Sequence, residues 1–340
     1  MREWIFWGMA GLILMTIQPT AHADTGAQLT KEFIYEKAAF PSCHASTIAE
    51  TKDGLISAWF GGSDEGEKDV AIWISLHRSG KWSAPIEAAN GVQTDGTRLP
   101  CWNPVLHNDP KHGLMLFYKV GPNPRQWWGM LRTSSDGGRS WSAVKRLPDG
   151  VLGPIKNKPL LLKDGTLLCP SSTEHDGWKV HLELTSDGGD SWLLTPPLND
   201  GKESRAIQPG LMQFPDGKLM MLCRGTKGKL LGSRSKDGKA WQPLTPTDLP
   251  NPDSGIDTTV LADGRAILIY NPTETNDVRT PLCVALSRDG VDWQKVFTLE
   301  DEPGEYSYPA VIQTKDKKIH ITYTWKRELI RHVVLDPAKL

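Results

Sequence analysis

The chain has almost no excess charge of either sign, since 39 basic residues stand against 40 acidic ones over 340 residues and the net charge is −1. A protein that binds nucleic acid or an anionic membrane through charge needs a basic surface. The composition therefore predicts neither partner. Long amphipathic helical patterns are also missing, whereas 25 Pro and 32 Gly indicate a turn-rich, all-β chain.

Cysteine is scarce, and no two cysteines form a Cys-x-x-Cys pair, so we predict no zinc site and no other metal or cofactor. The five cysteines follow one another at steps of 58, 68, 54 and 60 residues: Cys43, Cys101, Cys169, Cys223 and Cys283. This spacing indicates equivalent buried strand positions more than a disulfide framework. Because five is odd, at least one thiol is unpaired, and one disulfide bridge stays an open alternative.

One apolar run stands out, at the N terminus, from Ile5 to Ile17 after the basic Arg2. It is short for a membrane span, and Ala21-His22-Ala23 has the small-x-small pattern of a cleavage site. Residues 1–23 are therefore predicted to be a signal peptide, with an anchoring helix as the alternative. The mature chain, 24–340, is expected to be exported, periplasmic or secreted, and to have no further membrane segment.

A motif of the form Ser-x-Asp-x-Gly-x-x-Trp organises the rest of the chain. It spans Ser134–Trp141 and recurs, with small changes, at Thr185–Trp192, Ser235–Trp241 and Ser287–Trp293. The four aspartates lie 51, 50 and 52 residues apart, a period typical of stacked or radially arranged repeats. Asp and Gly favour a hairpin turn, and Trp packs beneath it. We therefore interpret these boxes as structural and assign them no catalytic role.

A second turn alternates with the boxes, at Asp53-Gly54, Asp164-Gly165, Asp216-Gly217 and Asp263-Gly264, and each opens an apolar strand. A unit with about four short strands and two tight turns is one blade of a β-propeller. The 317 residues after the signal peptide hold six such units. The sequence thus predicts a single domain, an all-β, six-bladed β-propeller with four-stranded antiparallel blades. Strands near residues 32–36 and 330–335 are expected to share one blade and close the ring.

Repeated Asp boxes in a six-bladed exported chain resemble the sialidase (neuraminidase) superfamily, also called BNR or Asp-box proteins. Trp59-Phe60-Gly61-Gly62, Gly153–Pro159 and Tyr306–Ala310 are similar to segments of the bacterial predicted-neuraminidase type. The resemblance covers essentially the whole mature chain. It implies an exo-acting glycosidase, a monomer, that removes a terminal sugar from a glycan. It also implies three arginines for the substrate carboxylate, a tyrosine nucleophile activated by a glutamate, and an aspartate as acid/base.

Two positions of the family pattern carry other residue types. His44 stands ten residues before Gly54, where the first arginine is expected, and Gln208 stands eight residues before Asp216, where the glutamate is expected. An imidazole offers no guanidinium fork, and an amide cannot take a proton. The departures leave open whether the substrate is sialic acid or another terminal sugar, which we expect to be acidic.

The remaining roles have candidates of the right type. Arg224 and Arg279 match the second and third arginines, Tyr306 matches the nucleophile with Tyr308 as second choice, and Asp64 matches the acid/base, followed by Glu65 and Asp69. Every inner strand of a propeller begins at the same rim. We therefore expect six side chains to converge there: His44, Asp64, Gln208, Arg224, Arg279 and Tyr306.

Further residues are candidates to line the pocket. Trp102 and Asn103 offer an aromatic face and an amide, Lys156 and Lys158 could hold an acidic sugar, and Glu174 is the best alternative carboxylate. Each has a structural alternative, such as strand packing for the tyrosines or an interblade salt bridge for Arg224. Two other functions stay open beside a hydrolase: a uronate lyase in which His44 or Tyr306 abstracts a proton, and a glycan-binding propeller without turnover.

Overall fold

The computed structural model describes residues 26–340 and shows an all-β chain of six antiparallel sheets. Each sheet follows a four-stranded path and forms one blade, with one extra short strand in blade one. The predicted six-bladed propeller with four-stranded antiparallel blades is confirmed. The predicted signal peptide, residues 1–23, lies outside the described residues. Between residues 26 and 340, no helix is long and apolar enough to cross a membrane.

The strands follow the blades in chain order. The N-terminal strand is β1 (Gln28–Phe33). Blade one contains β2 (Ser42–Thr51), β3 (Gly54–Gly62), β4 (Ala71–Arg78), β5 (Lys81–Trp82) and β6 (Ile86–Ala89). Blade two contains β7 (Cys101–Asp109), β8 (Gly113–Val120), β9 (Trp128–Ser134) and β10 (Lys145–Arg146). Blade three contains β11 (Leu160–Leu161), β12 (Leu167–Thr173), β13 (Lys179–Thr185) and β14 (Leu193–Leu194).

The second half repeats this order. Blade four contains β15 (Ala206–Gln213), β16 (Leu219–Gly225), β17 (Lys229–Ser235) and β18 (Thr245–Pro250). Blade five contains β19 (Asp257–Val260), β20 (Ala266–Tyr270), β21 (Leu282–Ser287) and β22 (Gln294–Glu300). Blade six contains β23 (Tyr306–Gln313), β24 (Ile319–Trp325) and β25 (Leu329–Leu335). A short 3₁₀ helix, Pro337–Lys339, follows β25.

The two ends of the described chain close the ring, as the sequence predicts. Strand β1 pairs antiparallel with β25, so that Gln28 lies opposite Leu335 and Phe33 lies opposite Arg331. Blade six therefore has the strand order β1-β25-β24-β23, with one strand from the N-terminal end and three from the C-terminal end. This pairing leaves no blade with an unfilled outer position.

The hydrophobic core is divided among the interfaces between neighbouring blades. Ile56 and Phe60 of blade one pack in one cluster with Leu106 and Leu116 of blade two. The same arrangement joins each later pair, and a cluster around Trp59 joins blade one to blade six. A sheet buried on both faces needs apolar residues on both, which explains the nearly continuous apolar runs of the second strands.

The Asp boxes are hydrogen-bonded turns that join the third and fourth strands of a blade. In the first box, Asp136 Oδ1 accepts the backbone N–H of Arg139 at 3.0 Å and that of Ser140 at 2.9 Å. Ser134 Oγ donates to Asp136 at 2.8 Å and accepts the Gly138 N–H at 2.9 Å. Arg139 also reaches Asp53 of the next blade at 2.7 Å. The boxes thus lie with the Asp-Gly turns, at the opposite end from the starts of the inner strands.

We expect Ser134→Ala to destabilise the fold by about 1–2 kcal/mol, because the buried Gly138 N–H loses its acceptor. Urea unfolding measures the effect, and the activity per folded molecule is expected to be unchanged. Ser135→Ala is the matched control, because Ser135 is exposed in the same turn. Equal stability of the two variants would contradict this account of the box.

All five cysteines are buried and free. Their positions in the blades are not equivalent, which corrects the interpretation of their spacing. Cys43 and Cys101 lie in first strands, Cys169 and Cys223 lie in second strands, and Cys283 lies in a third strand. The steps between them are longer than the blade period, so each step of more than one blade length moves the thiol along the blade.

Candidate active site

Four of the six inner strands carry the same local irregularity near their start. The pairing of β2, β7, β15 and β23 with the next strand shifts register there, as in a β-bulge. Each bulge contains a non-glycine residue with positive φ: Ala45 (56°), Asn103 (31°), Gln208 (57°) and Tyr308 (50°). Such residues are strained and concentrate at functional sites, where bulges redirect side chains. The geometry marks this end of the propeller as the candidate site.

Tyr308 lies at the centre of the site. Its hydroxyl oxygen accepts a hydrogen bond from Arg224 Nη1 at 2.7 Å and one from Gln208 Nε2 at 3.2 Å. The His44 ring lies against the tyrosine ring, with 4.1 Å between centroids. The guanidinium carbon of Arg279 is 5.8 Å from the tyrosine ring centroid. Four of the six residues expected to converge, from blades one, four and five, therefore surround one phenol.

His44 is 2% exposed, and neither of its ring nitrogens has a hydrogen-bond partner. Burial lowers the pKa of His44 well below its ordinary value, and the charges of Arg327, Arg279 and Arg224 lower it further. The imidazole is therefore neutral near pH 7, with a basic nitrogen available. Gln208 Oε1 is likewise buried without a partner. Unpaired buried polar atoms of this kind call for an explanation, and a bound ligand would provide partners.

Arg224 is held from two sides. Its Nε donates to Asp253 at 2.6 Å, and its guanidinium lies 5.3 Å from the Trp178 ring centroid. Burial lowers the pKa of Arg224, but Tyr308 and Asp253 outweigh this effect and raise it above its ordinary value. Burial raises the pKa of Glu174, which faces Arg224 and accepts a hydrogen bond from Trp178. Glu174 is thus a carboxyl group of the same pocket wall.

A chain of ion pairs forms the opposite wall. Glu305 accepts from Arg279 at 2.9 Å and from Arg327 Nε at 2.9 Å, and Arg327 Nη1 donates to Glu65 at 2.5 Å. Burial raises the pKa of Glu305, but the hydrogen bond and the charge of Arg327 outweigh it and hold the pKa below its ordinary value. This wall joins blades five and six to the loop between β3 and β4 in blade one.

The two lysines lie inside the propeller. Lys156 donates to Asn157 Oδ1 at 2.9 Å, to the Ile256 carbonyl at 2.8 Å and to the Pro309 carbonyl. Burial lowers the pKa of Lys156 to about 7. Lys158 pairs with buried Asp257 at 2.8 Å. All three donors of Lys156 are therefore committed to protein acceptors below the Tyr308 ring, where the side chain joins blades three, five and six.

Tyr306 does not join the pocket. It is 1% exposed and packs with Val311 and Tyr323 in the apolar cluster between blades five and six. Regular alternation would place Tyr306 and Tyr308 on the same face of β23, but the bulge after Ser307 and the positive φ of Tyr308 break the alternation. Tyr308, the second choice for the nucleophile, occupies the place expected for Tyr306.

The acidic candidates of blade one lie in the exposed loop that follows β3. Asp64 Oδ1 accepts the backbone N–H of Glu65 at 2.8 Å, and the Asp69 carboxylate accepts from the N–H and the hydroxyl of Ser63 at 2.9 and 2.8 Å. Gly66 lies over Trp102, since a Cβ there would be 3.4 Å from that ring. Asp69 thus holds the loop shape, while Asp64 stays exposed at the rim.

The aromatic candidate of blade two is packed. The Trp102 indole donates to the Gly121 carbonyl at 2.8 Å, and its ring meets the edge of Trp127 with 5.9 Å between centroids. Asn103 is buried beside it at the bulge of β7. In residues 26–340, no group of three or more His, Cys, Asp or Glu side chains could hold a metal ion.

Sequence reasoning missed three residues of the site: Asp253, Glu305 and Arg327. All three precede or follow strands in irregular segments, where periodicity gives no signal. The bulges had a visible mark, because Asn103, Gln208 and Tyr308 are each followed directly by proline at corresponding positions of their blades. That recurring X-Pro pair would have selected Tyr308 over Tyr306.

Comparison with known proteins places this geometry in context. The chain is similar to a protein of unknown function from Dyadobacter fermentans, with 16% identity, a TM-score of 0.74, and coverage of 91% of this chain and 98% of that one. It is similar to the NanB sialidase from Streptococcus pneumoniae, with 14% identity, a TM-score of 0.72, and coverage of 91% and 71%. It is also similar to the Hadza microbial sialidase Hz136, with 19% identity, a TM-score of 0.74, and coverage of 88% and 66%.

At these identities the structural likeness shows the fold. No curated protein matches the chain. The family model described as a BNR repeat-like domain matches residues 53–321, which is most of the chain. The chain therefore belongs to the BNR repeat-like domain family of the sialidase superfamily.

Proposed function

We propose that this protein is an exo-acting glycosidase that removes a terminal acidic sugar from a glycan. The observation that carries the proposal is the Tyr308 hydroxyl, which Arg224 holds at 2.7 Å beside the unpartnered, neutral His44. Cationic groups surround this hydroxyl, and guanidinium groups favour carboxylates. The sialidases of similar fold support a reaction on a glycan.

In the proposed reaction, the Tyr308 oxygen attacks the anomeric carbon of the terminal sugar and the glycosidic C–O bond breaks. The phenol proton passes to a ring nitrogen of His44, because Gln208 cannot accept it. A neutral nucleophile suits an anionic sugar, since it brings no full negative charge to the carboxylate. Water then attacks the same carbon, releases the sugar and restores the phenol.

The departing oxygen of the glycan needs a proton from a carboxyl group. Asp64 is exposed at the rim, and Glu174 has a pKa that burial raises. A raised pKa keeps a carboxyl group protonated closer to neutral pH, which favours a role as general acid. Asp64 remains the acid/base candidate of the family pattern, and Glu174 is the alternative that the electrostatics support.

A second candidate is a uronate lyase, favoured by the same unpartnered His44. There His44 would take the proton from the carbon next to the carboxylate, and its electron pair would form a carbon–carbon double bond. The bond to the leaving oxygen on the neighbouring carbon would break, and Tyr308 would protonate that oxygen. The product would be unsaturated, which separates the two reactions.

The test is a panel of methylumbelliferyl glycosides of N-acetylneuraminic acid, glucuronic acid and neutral glucose, beside oligosaccharides that contain uronic acid. We expect release of an acidic sugar at least about 100-fold faster than release of glucose. Ultraviolet absorbance of an unsaturated product would favour the lyase. Saturable binding without any product would favour a glycan-binding propeller, and faster release of glucose would contradict the proposal.

Arg224→Gln is expected to raise KM for the acidic substrate by about 10–100-fold, because a charge-assisted hydrogen bond is lost. Arg205→Gln is the matched control: Arg205 also stacks on Trp178, at 4.9 Å, but it is exposed. We expect its KM within about twofold of the wild type. Equal effects of the two substitutions would argue against a substrate-binding role of Arg224.

We also propose that the enzyme acts outside the cytoplasm, after removal of residues 1–23, as a monomer. The proposal rests on the apolar run and the Ala-His-Ala pattern of the sequence. N-terminal sequencing of the periplasmic and culture fractions tests it, with Asp24 expected as the first residue. An intact N terminus in the cytoplasmic fraction would contradict it.

A further inference from the structure

The turn between β24 and β25 contains two strained residues. Lys326 and Arg327 have φ values of 53° and 59°, and the Glu328 N–H donates to the Trp325 carbonyl at 3.1 Å. Positive φ at both central residues of a two-residue hairpin is the pattern of a type I′ turn, which strongly prefers Asn-Gly. A Lys-Arg pair is unfavourable there. A costly residue at the rim of a pocket suggests that its side chain has a function.

The backbone of this turn reaches the start of the first inner strand. The Arg327 carbonyl accepts the Cys43 N–H at 2.8 Å, which places Arg327 beside His44. Among the charges that lower the pKa of His44, that of Arg327 has the largest effect. The first inner strand has no arginine of its own, since no arginine lies between Arg2 and Arg78. Arg327 therefore brings a guanidinium from blade six to the part of the pocket that blade one leaves without one.

The charges in this wall do not balance inside it. Glu305 is shared between Arg279 and Arg327, so two guanidinium groups compete for one inner carboxylate. The second acid, Glu65, comes from the exposed loop, and the side chains of Arg327 and Glu65 are 31% and 34% exposed. Among residues 26–340, no acceptor is assigned to Nη2 of either arginine. The wall can thus accept one more anionic group.

We infer that Arg327 binds the acidic group of the terminal sugar together with Arg279, and that Glu65 occupies Arg327 Nη1 when the pocket is empty. This inference rests on the proposed function, because it assigns the acidic substrate to specific donors. A carboxylate that enters would use the free Nη2 groups and displace Glu65, an exchange of one oxygen acceptor for another. The loop between β3 and β4 would then be released from blade six at the moment of binding.

A purely structural alternative is that Arg327 only ties that loop to blade six. The turn separates the two accounts. Asn suits a type I′ turn better than Arg or Lys, so neither Arg327→Asn nor Lys326→Asn should destabilise the hairpin. Lys326 lies over the Trp325 ring at 4.7 Å, outside the ion-pair chain, and serves as the matched control.

The experiment is isothermal titration of the full chain with glucuronic acid and N-acetylneuraminic acid, beside neutral glucose. We expect Arg327→Asn to weaken binding of the tighter acid by about 10–100-fold, with Tm equal to or above that of the wild type. Lys326→Asn should bind within about twofold of the wild type. Affinity within twofold for Arg327→Asn as well would overturn the inference, and so would an equal loss for glucose.

The arginine of blade four distinguishes failure of the inference from failure of the proposed function. If the wild type prefers an acid and Arg224→Gln loses that preference while Arg327→Asn keeps it, the proposed function stands and the inference is wrong. If the wild type shows no preference for an acid, both are wrong. Glu65→Gln should tighten binding severalfold, since it removes the competing carboxylate. Unchanged or weaker binding would contradict the displacement of Glu65.

Discussion

Tyr308→Phe is expected to lower kcat by about 1,000-fold or more while the fold stays intact. Phenylalanine keeps the ring that packs against His44 and loses only the hydroxyl that Arg224 and Gln208 hold. Arg224 keeps its ion pair with Asp253, so the pocket wall should persist. Initial rates with the substrate selected from the panel measure kcat, and circular dichroism with thermal unfolding checks the fold.

Tyr306→Phe is the matched control for this result. The same strand carries both tyrosines, but Tyr306 packs in the apolar cluster between blades five and six. Its kcat should therefore stay within about twofold of the wild type. A large loss for Tyr306→Phe with little loss for Tyr308→Phe would return the role to the first choice of the sequence pattern and overturn the assignment made from the structure.

His44→Asn is expected to lower kcat by about 100- to 10,000-fold, the range for loss of a general base. The same group should set the acid limb of kcat against pH. Because burial and the nearby arginines lower the pKa of His44, the imidazole remains neutral at pH 6–8 and activity should not fall there through this group. As the pH falls through the lowered pKa, the ring gains a proton, can no longer accept one, and activity is lost.

Two controls make the His44 prediction specific. His107 is also buried, and burial lowers its pKa to about 4, but it lies near the far end of β7 beside Asp109. We expect His107→Asn to leave kcat within about twofold. Arg327→Asn removes a charge that lowers the pKa of His44, so the acid limb should move to higher pH. An unmoved limb in that variant would mean that another group controls it.

The fold was predictable because its signals are local and repeat. Each Asp box places a turn at a fixed period, and the paired termini follow from counting strands. The site was predictable only in part, since His44, Gln208, Arg224 and Arg279 lie at positions that a regular blade would give them. Tyr306 and Tyr308 were ranked in the reverse order because strand alternation does not hold through a bulge.

The lysines and the missed residues show a different limit. Lys156 and Lys158 have the composition of an anion site, but burial and carbonyl partners turn them inward, which depends on how three blades meet. Arg327 lies in a turn whose composition is atypical for its backbone shape. Its place became visible only when the dihedral angles and the contact with Cys43 were known.

The pairing of β1 with β25 has a consequence for how the active site forms. His44 belongs to the first blade and Tyr308 to the last, so the proposed catalytic pair lies across the seam where the propeller is joined. Contacts between residues so distant in sequence are slow to form, because the intervening chain must be ordered first. A molecule with five well-formed blades and an open seam would have almost all of its core and none of its catalytic pair. Activity should therefore report the completed ring, and its recovery on refolding should follow the last structural step rather than the growth of β-sheet signal.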